Sequence, residues 1–163
     1  MQKRSGLSWL RNTRRSADEA AQSVAQAYSR RQKQANKREI IIKNEVQIAG
    51  IRKSCRLTRD ILDALTERIR PGITTEQINT WVHEMTLANG AIPAPLHYRG
   101  YPKSVCTSIN EVICHGIPSP DRVLREGDIL NVDVTTILNG YYGDSSRMFL
   151  IGEVSPEARK LVE

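Results

Sequence analysis

Two aspartates, Asp133 and Asp144, could bind metal ions together if the chain between them folds as a tight hairpin. The dipeptide Asn139-Gly140 lies between them and is typical of a two-residue hairpin turn. This turn would pair Asp133 with Ser146, so that Asp133 and Asp144 become diagonal neighbours on one face of the sheet. Their α-carbons would be roughly 7–8 Å apart. Two carboxylates at that separation can reach two metal ions that lie about 3.5–4 Å apart.

A structural salt bridge is the alternative that the spacing leaves open, for example Asp144 with Arg147 or Arg125. Asp133 stands in the apolar run of residues 129–134, where a buried carboxylate needs a metal, a base or several hydrogen-bond donors. A three-residue loop without a bulge would instead place the two carboxylates on opposite faces. Spacing alone therefore does not choose between a metal site and an ion pair.

A second hairpin is predicted to turn at Asn110-Glu111. It would place Cys106 opposite His115, so that both side chains line one surface. Gly116, next to His115, would allow a ligand to approach the backbone closely. A hydrogen-bonded structural role for His115 is the alternative.

Two helices are predicted ahead of these hairpins. Residues from Ile48 to Ile69 repeat apolar positions at steps of three and four, which indicates one face of a helix that ends before Pro71. Thr74 and Gln77 fit a capping box at the start of the second helix. His83 falls within that helix and is expected at its surface.

The remaining elements are predicted as strands. Four runs are rich in β-branched and aromatic residues, namely residues 105–109, 112–115, 129–137 and 141–151. Two helices followed by antiparallel strands indicate an α+β fold, with the helices packed on one face of a sheet and the site on the other. A further helix start is predicted at Ser155-Pro156.

The net charge of +6 is concentrated at the beginning of the 163-residue chain. Residues 1–40 hold ten Lys or Arg and three Asp or Glu, whereas residues 41–163 hold fourteen and fifteen. We therefore predict a basic N-terminal extension over residues 1–40, partly helical or disordered, and a globular part over residues 41–163. A capping box from Ser16 to Glu19 predicts a helix in the extension. Ribosomal RNA is a candidate partner of the extension, and a solvated tail is the alternative.

Composition also bears on the setting of the protein. No apolar run approaches the roughly 20 residues that span a bilayer, and no secretory signal follows Met1. The cysteines Cys55, Cys106 and Cys114 are odd in number and form no close pair, which argues against a disulfide framework. Acidic Asp18 disfavours an organelle transit peptide. We expect a cytoplasmic protein with no membrane or DNA partner.

Two stretches resemble the signature of type I methionine aminopeptidases. They are Tyr98–Pro118, YRGYPKSVCTSINEVICHGIP, and Gly127–Phe149, GDILNVDVTTILNGYYGDSSRMF. The similarity runs from about Ile42 to the last residue. That family has the pita-bread fold, two similar α/β halves around two metal ions, and removes the initiator methionine from nascent polypeptide N-termini. The resemblance implies that this chain is the N-terminal half of such a fold.

The resemblance also implies roles for individual residues. Asp133 would bind one metal ion and Asp144 would bridge two. His115 would act in catalysis by contacting the substrate and stabilising the reacting peptide group. The side-chain pocket for methionine would be lined by Tyr98, Tyr101 and Cys106, soft and aromatic neighbours that suit a thioether. The two divalent ions would be cobalt, manganese, iron, zinc or nickel, among which two carboxylates do not choose.

The family uses five metal ligands, and a histidine and two glutamates among them come from the second half. Because the 163 residues do not include that half, we expect a fragment with little or no activity alone. A non-catalytic ribosome- or RNA-associated protein of the same fold is the competing function. A proline-cleaving peptidase of the same fold is disfavoured by the match over residues 98–118.

Overall fold

A ten-residue strand, β3 (Ile129–Leu138), lies at the centre of a four-stranded antiparallel sheet. The computed structural model describes residues 40–163. Strand β4 (Tyr141–Leu150) pairs with β3 along its whole length. Because a strand has two edges, the short strands β1 (Ile92–Pro93) and β2 (Cys106–Ile109) share the other edge of β3, one after the other.

The side chains of β3 alternate between a covered face and an open face. Asp133 lies on the open face and is half-buried. This alternation follows from the two-residue period of a strand, which sends neighbouring side chains to opposite faces. The residues of β3 that are fully buried on the covered face are Leu130, Val132, Val134 and Thr136.

Helices α1 (Glu45–Thr66) and α2 (Thr75–Ala88) precede the sheet strands, as the sequence predicts. Each begins with a capping box. Asn44 caps α1, and Thr74 with Gln77 caps α2 as predicted, which satisfies backbone N–H groups that have no partner within the helix. Apolar residues of both helices join those of β3 and β4 in one core. The core members with no exposed surface are Leu65, Ile78, Val82, Val105, Leu130, Val132, Val134 and Ile151.

A cluster of three buried hydroxyl groups joins α1 to the hairpin of β3 and β4. Ser54 and Thr58 on α1 both hydrogen-bond the Thr136 hydroxyl, at 3.0 and 2.9 Å. The Thr58 hydroxyl also donates to the Gly143 carbonyl on β4, at 3.0 Å. Gly143 has no room for a β-carbon because its backbone lies against that of Ser54. The helix therefore packs directly on the backbone of the strand that carries Asp144.

The last helix, α3 (Pro156–Val162), begins at the predicted position, with Ser155 accepting a hydrogen bond from the Ala158 N–H. Residues Lys43–Glu163 form one structural unit. The predicted division at residue 40 stays a prediction, and the helix predicted from Ser16 lies outside the described residues. Within residues 40–163, no helix is long and apolar enough to cross a membrane.

The predicted second hairpin is wrong. Residues 112–115 form no strand, and β2 pairs with β3, so that Asp133 and not His115 lies opposite Cys106. The predicted turn at Asn110-Glu111 does form: Asn110 has a φ of 50°, and the Val112 N–H donates to the Ile109 carbonyl at 3.0 Å. The Asn110 backbone N–H also donates to the Ile129 carbonyl at 3.0 Å, so β2 stays held to β3 up to the turn.

The segment after this turn returns to the outer edge of β2 two residues out of the predicted register. The Thr107 N–H donates to the Gly116 carbonyl at 2.8 Å. A β-carbon at Gly116 would overlap the Thr107 carbonyl. In this structure, the glycine therefore allows a close approach of backbone to backbone, whereas the sequence predicted that it serves a ligand.

Candidate functional site

The turn that positions the candidate site has the predicted two-residue form. Asn139 and Gly140 both have positive φ, 51° and 80°, as a type I′ turn requires. Asparagine tolerates this left-handed backbone better than most residues, and glycine adopts it without steric cost. Leu138 consequently pairs with Tyr141, and the register of the hairpin is the predicted one.

This register places Asp133 and Asp144 on the same open face. Asp133 lies opposite Ser146, and Asp144 lies opposite Thr135, which is two residues from Asp133. Because paired residues share a face and residues two apart on a strand share a face, the two carboxylates are diagonal neighbours. The Thr135 hydroxyl donates to a carboxylate oxygen of Asp144 at 2.9 Å.

The two carboxylates affect each other electrostatically. Burial raises the pKa of Asp133, and the negative charge of Asp144 raises it further, whereas His115 lowers it. A half-buried carboxylate beside a second negative charge is in an environment that disfavours ionisation. A cation between the two would reverse this effect, because it favours both charged forms.

The alternative ion pairs are wrong. Arg147 points to the helix side of the sheet and pairs with Asp63 on α1 at 2.6 Å. Arg125 uses its backbone N–H to bind the Asp128 carboxylate at 2.8 Å. Among residues 40–163, no Lys or Arg lies within ion-pair distance of Asp133 or Asp144. In the part of the chain that the structure describes, the pair thus has no Lys or Arg as a counter-charge.

Cys106 and Tyr101 lie beside Asp133. Cys106 is the strand partner of Asp133 on β2 and is buried, 7% exposed, which raises the pKa of its thiol. Burial raises the pKa of the Tyr101 hydroxyl well above its usual range, with Cys106 and Asp133 adding to the effect. The Tyr101 hydroxyl lies 3.0 Å from the Val105 carbonyl and 3.1 Å from that of Gly116. It therefore bridges the two segments that flank β2.

His115 and Tyr98 occupy more exposed positions. His115 is exposed, with a φ of 56°, in the irregular segment after β2. Its charge acts on Asp133, so it lies near the carboxylate pair although its predicted strand is absent. Tyr98 is 42% exposed in a single turn of 3-10 helix, Tyr98–Gly100, where the Arg99 guanidinium lies 5.4 Å from its ring. The structure thus brings His115 to the pair and leaves Tyr98 at the surface.

Sequence reasoning missed Thr135 as a neighbour of the pair. The register that placed Asp133 near Asp144 also places Thr135 opposite Asp144, so the signal was present in the same hairpin.

The donor set fits part of a metal centre. Carboxylate oxygens suit divalent cations, but no group of three or more His, Cys, Asp or Glu side chains among residues 40–163 is arranged to hold an ion. Further ligands would have to come from outside these residues.

Comparisons with known proteins point to one family. Residues 49–163 match the profile of metallopeptidase family M24. The chain is 51% identical over 124 residues to methionine aminopeptidase 1D, mitochondrial, of Danio rerio, covering 76% of this chain and 36% of that protein. It is 55% identical over 117 residues to methionine aminopeptidase A of Synechocystis sp., covering 72% and 46%.

A solved structure agrees with these sequence matches. The methionine aminopeptidase from Rickettsia prowazekii has a TM-score of 0.74 and 45% identity, with 76% of this chain and 50% of that chain covered. The predicted α+β fold and the resemblance to methionine aminopeptidases are therefore confirmed. The chain spans half or less of the length of these three relatives.

Proposed function

The chain belongs to metallopeptidase family M24, and from that premise we propose that it forms the N-terminal half of a methionyl aminopeptidase. The substrates would be the N-termini of nascent polypeptides, from which the enzyme removes methionine. The observation that carries the proposal is the pair Asp133 and Asp144, which share the open face of the sheet without a Lys or Arg partner among residues 40–163. A catalytic metal centre accounts for two such carboxylates.

In this proposal Asp133 and Asp144 are metal ligands. Asp133 and Asp144 would hold the two divalent ions, with one Asp144 oxygen hydrogen-bonded by Thr135. The ions, of cobalt, manganese, iron, zinc or nickel, would supply an activated water and polarise the peptide carbonyl. The Thr135 hydroxyl would fix the orientation of the Asp144 carboxylate, as hydrogen bonds to metal ligands commonly do.

His115, Tyr98, Tyr101 and Cys106 would contact the substrate. Tyr101 and Cys106, both beside Asp133, would line the pocket for the methionine side chain, which places the scissile bond near the carboxylate pair. His115 is exposed toward solvent and would hydrogen-bond the reacting peptide group. Tyr98 would contribute from the rim, since its ring is 42% exposed.

Complementation with a second half tests the proposal. The chain alone is expected to release little or no methionine from Met-Ala-Ser, because it supplies two of the five family ligands. Fused to the remaining half of the Rickettsia prowazekii relative, and supplied with cobalt or manganese, it should release methionine. Asp144→Asn in the fusion should abolish the release, whereas Asp121→Asn, at an exposed loop aspartate, should leave it unchanged.

Three results would contradict the proposal. They are a fusion that folds by circular dichroism yet releases no methionine, an Asp144→Asn fusion as active as its parent, and a chain that is fully active alone.

A second candidate function rests on the uneven charge. Residues 1–40 hold ten Lys or Arg against three Asp or Glu, so they are suited to contact ribosomal RNA. The chain would then be a ribosome- or RNA-associated protein of the same fold, with or without catalysis. Deletion of residues 1–40 should abolish co-sedimentation with ribosomes at low salt. Retained co-sedimentation would remove this role from the segment.

We also propose a cytoplasmic setting. Asp18 and Glu19 are unfavourable in an organelle transit peptide, although the Danio rerio relative is named as mitochondrial. Residues 1–40 fused to a fluorescent protein should leave the fluorescence in the cytoplasm. Accumulation in an organelle would show that the segment is a targeting sequence.

A further inference from the structure

One face of α2 contacts the segment that leads into β2. Glu76, Asn79 and His83 follow one another at steps of three and four residues, so their side chains share one side of the helix. All three contact either Lys103 or Ser104. The sequence predicted His83 at the surface of this helix, and the structure places it half-buried against this segment.

Each contact has good hydrogen-bond geometry. The Lys103 ammonium pairs with a Glu76 carboxylate oxygen at 2.6 Å. The backbone N–H of Ser104 donates to the Asn79 side-chain oxygen at 2.9 Å, and the Asn79 amide donates to Glu76 at 3.2 Å. The His83 Nδ1 lies 2.8 Å from the Ser104 hydroxyl. Asn79 is the central member because it binds the backbone of the segment and also the neighbouring carboxylate.

The segment held in this way carries two of the proposed pocket residues. Ser104 is 2% exposed, Val105 is fully buried and Cys106 follows directly. Tyr101 precedes Lys103 by two residues, and its hydroxyl returns to the Val105 carbonyl at 3.0 Å. The backbone contact at Ser104 therefore lies between Tyr101 and Cys106.

Helix α2, which makes this contact, is itself packed into the core and hydrogen-bonded at its first residue. Ile78 and Val82 of α2 are fully buried in the core. The first residue of α2, Thr75, is joined to Ser119 by two hydrogen bonds, at 3.1 and 2.9 Å. By contrast, residues 95–105 contain no sheet strand, and the last backbone hydrogen bond to β3 before them is from Ala94 to the Thr135 carbonyl. Lys103 and Ser104 are instead bound by side chains of α2.

We propose that Asn79 is a positioning residue that fixes the wall formed by Tyr101 and Cys106. It acts through the Ser104 backbone and touches no substrate. The role of the wall in binding a methionine side chain rests on the proposed function, whereas the positioning itself does not. Loss of the Asn79 oxygen would leave the buried Ser104 N–H without that acceptor, a state that favours local opening of the segment.

The accessibility of the Cys106 thiol reports on this opening. Cys55 and Cys114 are exposed, so a parent carrying Cys55→Ser and Cys114→Ser keeps Cys106 as its only cysteine. In that parent, Asn79→Ala is expected to accelerate maleimide labelling of Cys106 at least about tenfold, the ratio that corresponds to 1.4 kcal/mol. Asn79→Asp keeps the acceptor oxygen and should label within about threefold of the parent.

Two controls separate positioning from general destabilisation. Thr80→Ala changes an exposed neighbour on α2 and should leave the labelling rate unchanged. Thr58→Val weakens the distant contact of α1 with the hairpin, and denaturant is adjusted until its unfolding free energy equals that of Asn79→Ala. Asn79→Ala should still label faster.

The proposal would be overturned if Asn79→Ala labelled at the parent rate, if Asn79→Asp labelled as fast as Asn79→Ala, or if Thr58→Val at equal stability labelled equally fast. The assay contains neither metal nor peptide, so its result is independent of whether the chain belongs to a working aminopeptidase.

Discussion

At the scale of single residues, Asp133 combines two unfavourable features, partial burial and a nearby negative charge on Asp144. Both features raise its pKa; His115 lowers it, and no Lys or Arg among residues 40–163 forms an ion pair with it. Carboxyl groups with a shifted pKa are common in functional sites, because the chemistry of such sites depends on their charge. For the same two reasons, ionising Asp133 costs free energy in the folded chain when no metal ion is bound.

This cost predicts a dependence of stability on pH. Because the pKa of Asp133 in the folded chain is above 3.8, the folded chain binds this proton more tightly than the unfolded chain does. The Asp133 contribution to the free energy of unfolding therefore falls as pH rises from 3.8 through the raised pKa, and it stays low above that pKa. We expect Asp133→Asn to remove this fall. The stability advantage of the variant over the wild type should grow from about pH 3 to about pH 7.

Urea unfolding in the presence of a chelator, at several pH values, measures this difference. Asp121→Asn is the matched control, because it removes an exposed carboxylate. A stability difference for Asp133→Asn that does not change with pH would contradict the raised pKa.

At the scale of elements, the sequence predicts best where the signals are local. The hairpin of β3 and β4 follows from the Asn139-Gly140 turn and from alternation in the strands, so its register is correct. At Asn110 the predicted turn forms but the predicted hairpin does not, because β2 pairs with β3 and Asn110 binds Asp128 and Ile129, which are 18 and 19 residues further along the chain. No local pattern contains such a contact.

Two further features also depend on distant contacts. Strand β1 has only two residues, one of them Pro93, and is recognisable only from its pairing with β3. The position of His83 depends on its contact with Ser104, which is 21 residues further along the chain. The predicted hairpin that was to join Cys106 with His115 does not form, and the structure instead pairs Cys106 with Asp133.

The contact of α1 with the hairpin predicts the effect of a substitution at Thr58. Thr58→Val keeps the shape of the side chain and removes a buried hydroxyl that bonds Thr136 and Gly143. Because the partners remain buried, the free energy of unfolding should fall by about 1–3 kcal/mol. Urea unfolding measures the loss. Thr80→Val, at an exposed position of α2, should change it by less than about 0.5 kcal/mol, and an equal loss in both variants would contradict the role of the cluster.

At the scale of the whole molecule, the described core is contained within one unit. The buried apolar cluster extends from Leu57 to Ile151 and includes both long helices and the sheet. Residues Lys43–Glu163 form a unit by themselves. The open face of the sheet carries the carboxylate pair, and the chain spans half of the solved Rickettsia prowazekii relative. A second half that covers the open face would supply the further ligands in our proposal.

The described core is formed by residues between Leu57 and Ile151, so we predict that residues 1–40 contribute little to stability. Deletion of this segment should leave the free energy of unfolding of residues 41–163 within about 0.5 kcal/mol of the full chain, the usual size of effects that do not involve a buried core. Urea unfolding followed by circular dichroism compares the two. A much less stable shortened chain would show that the segment belongs to the folding unit.

Binding of Mn²⁺ tests the central claim, that Asp133 and Asp144 act together as metal ligands, most directly. Electron paramagnetic resonance of free Mn²⁺, titrated into the chain near neutral pH, gives the affinity for the wild type and for Asp133→Asn, Asp144→Asn and Asp121→Asn. We expect measurable binding by the wild type and by Asp121→Asn, and at least about tenfold weaker binding by each of the other two variants. Equal affinity in all four proteins would contradict the claim.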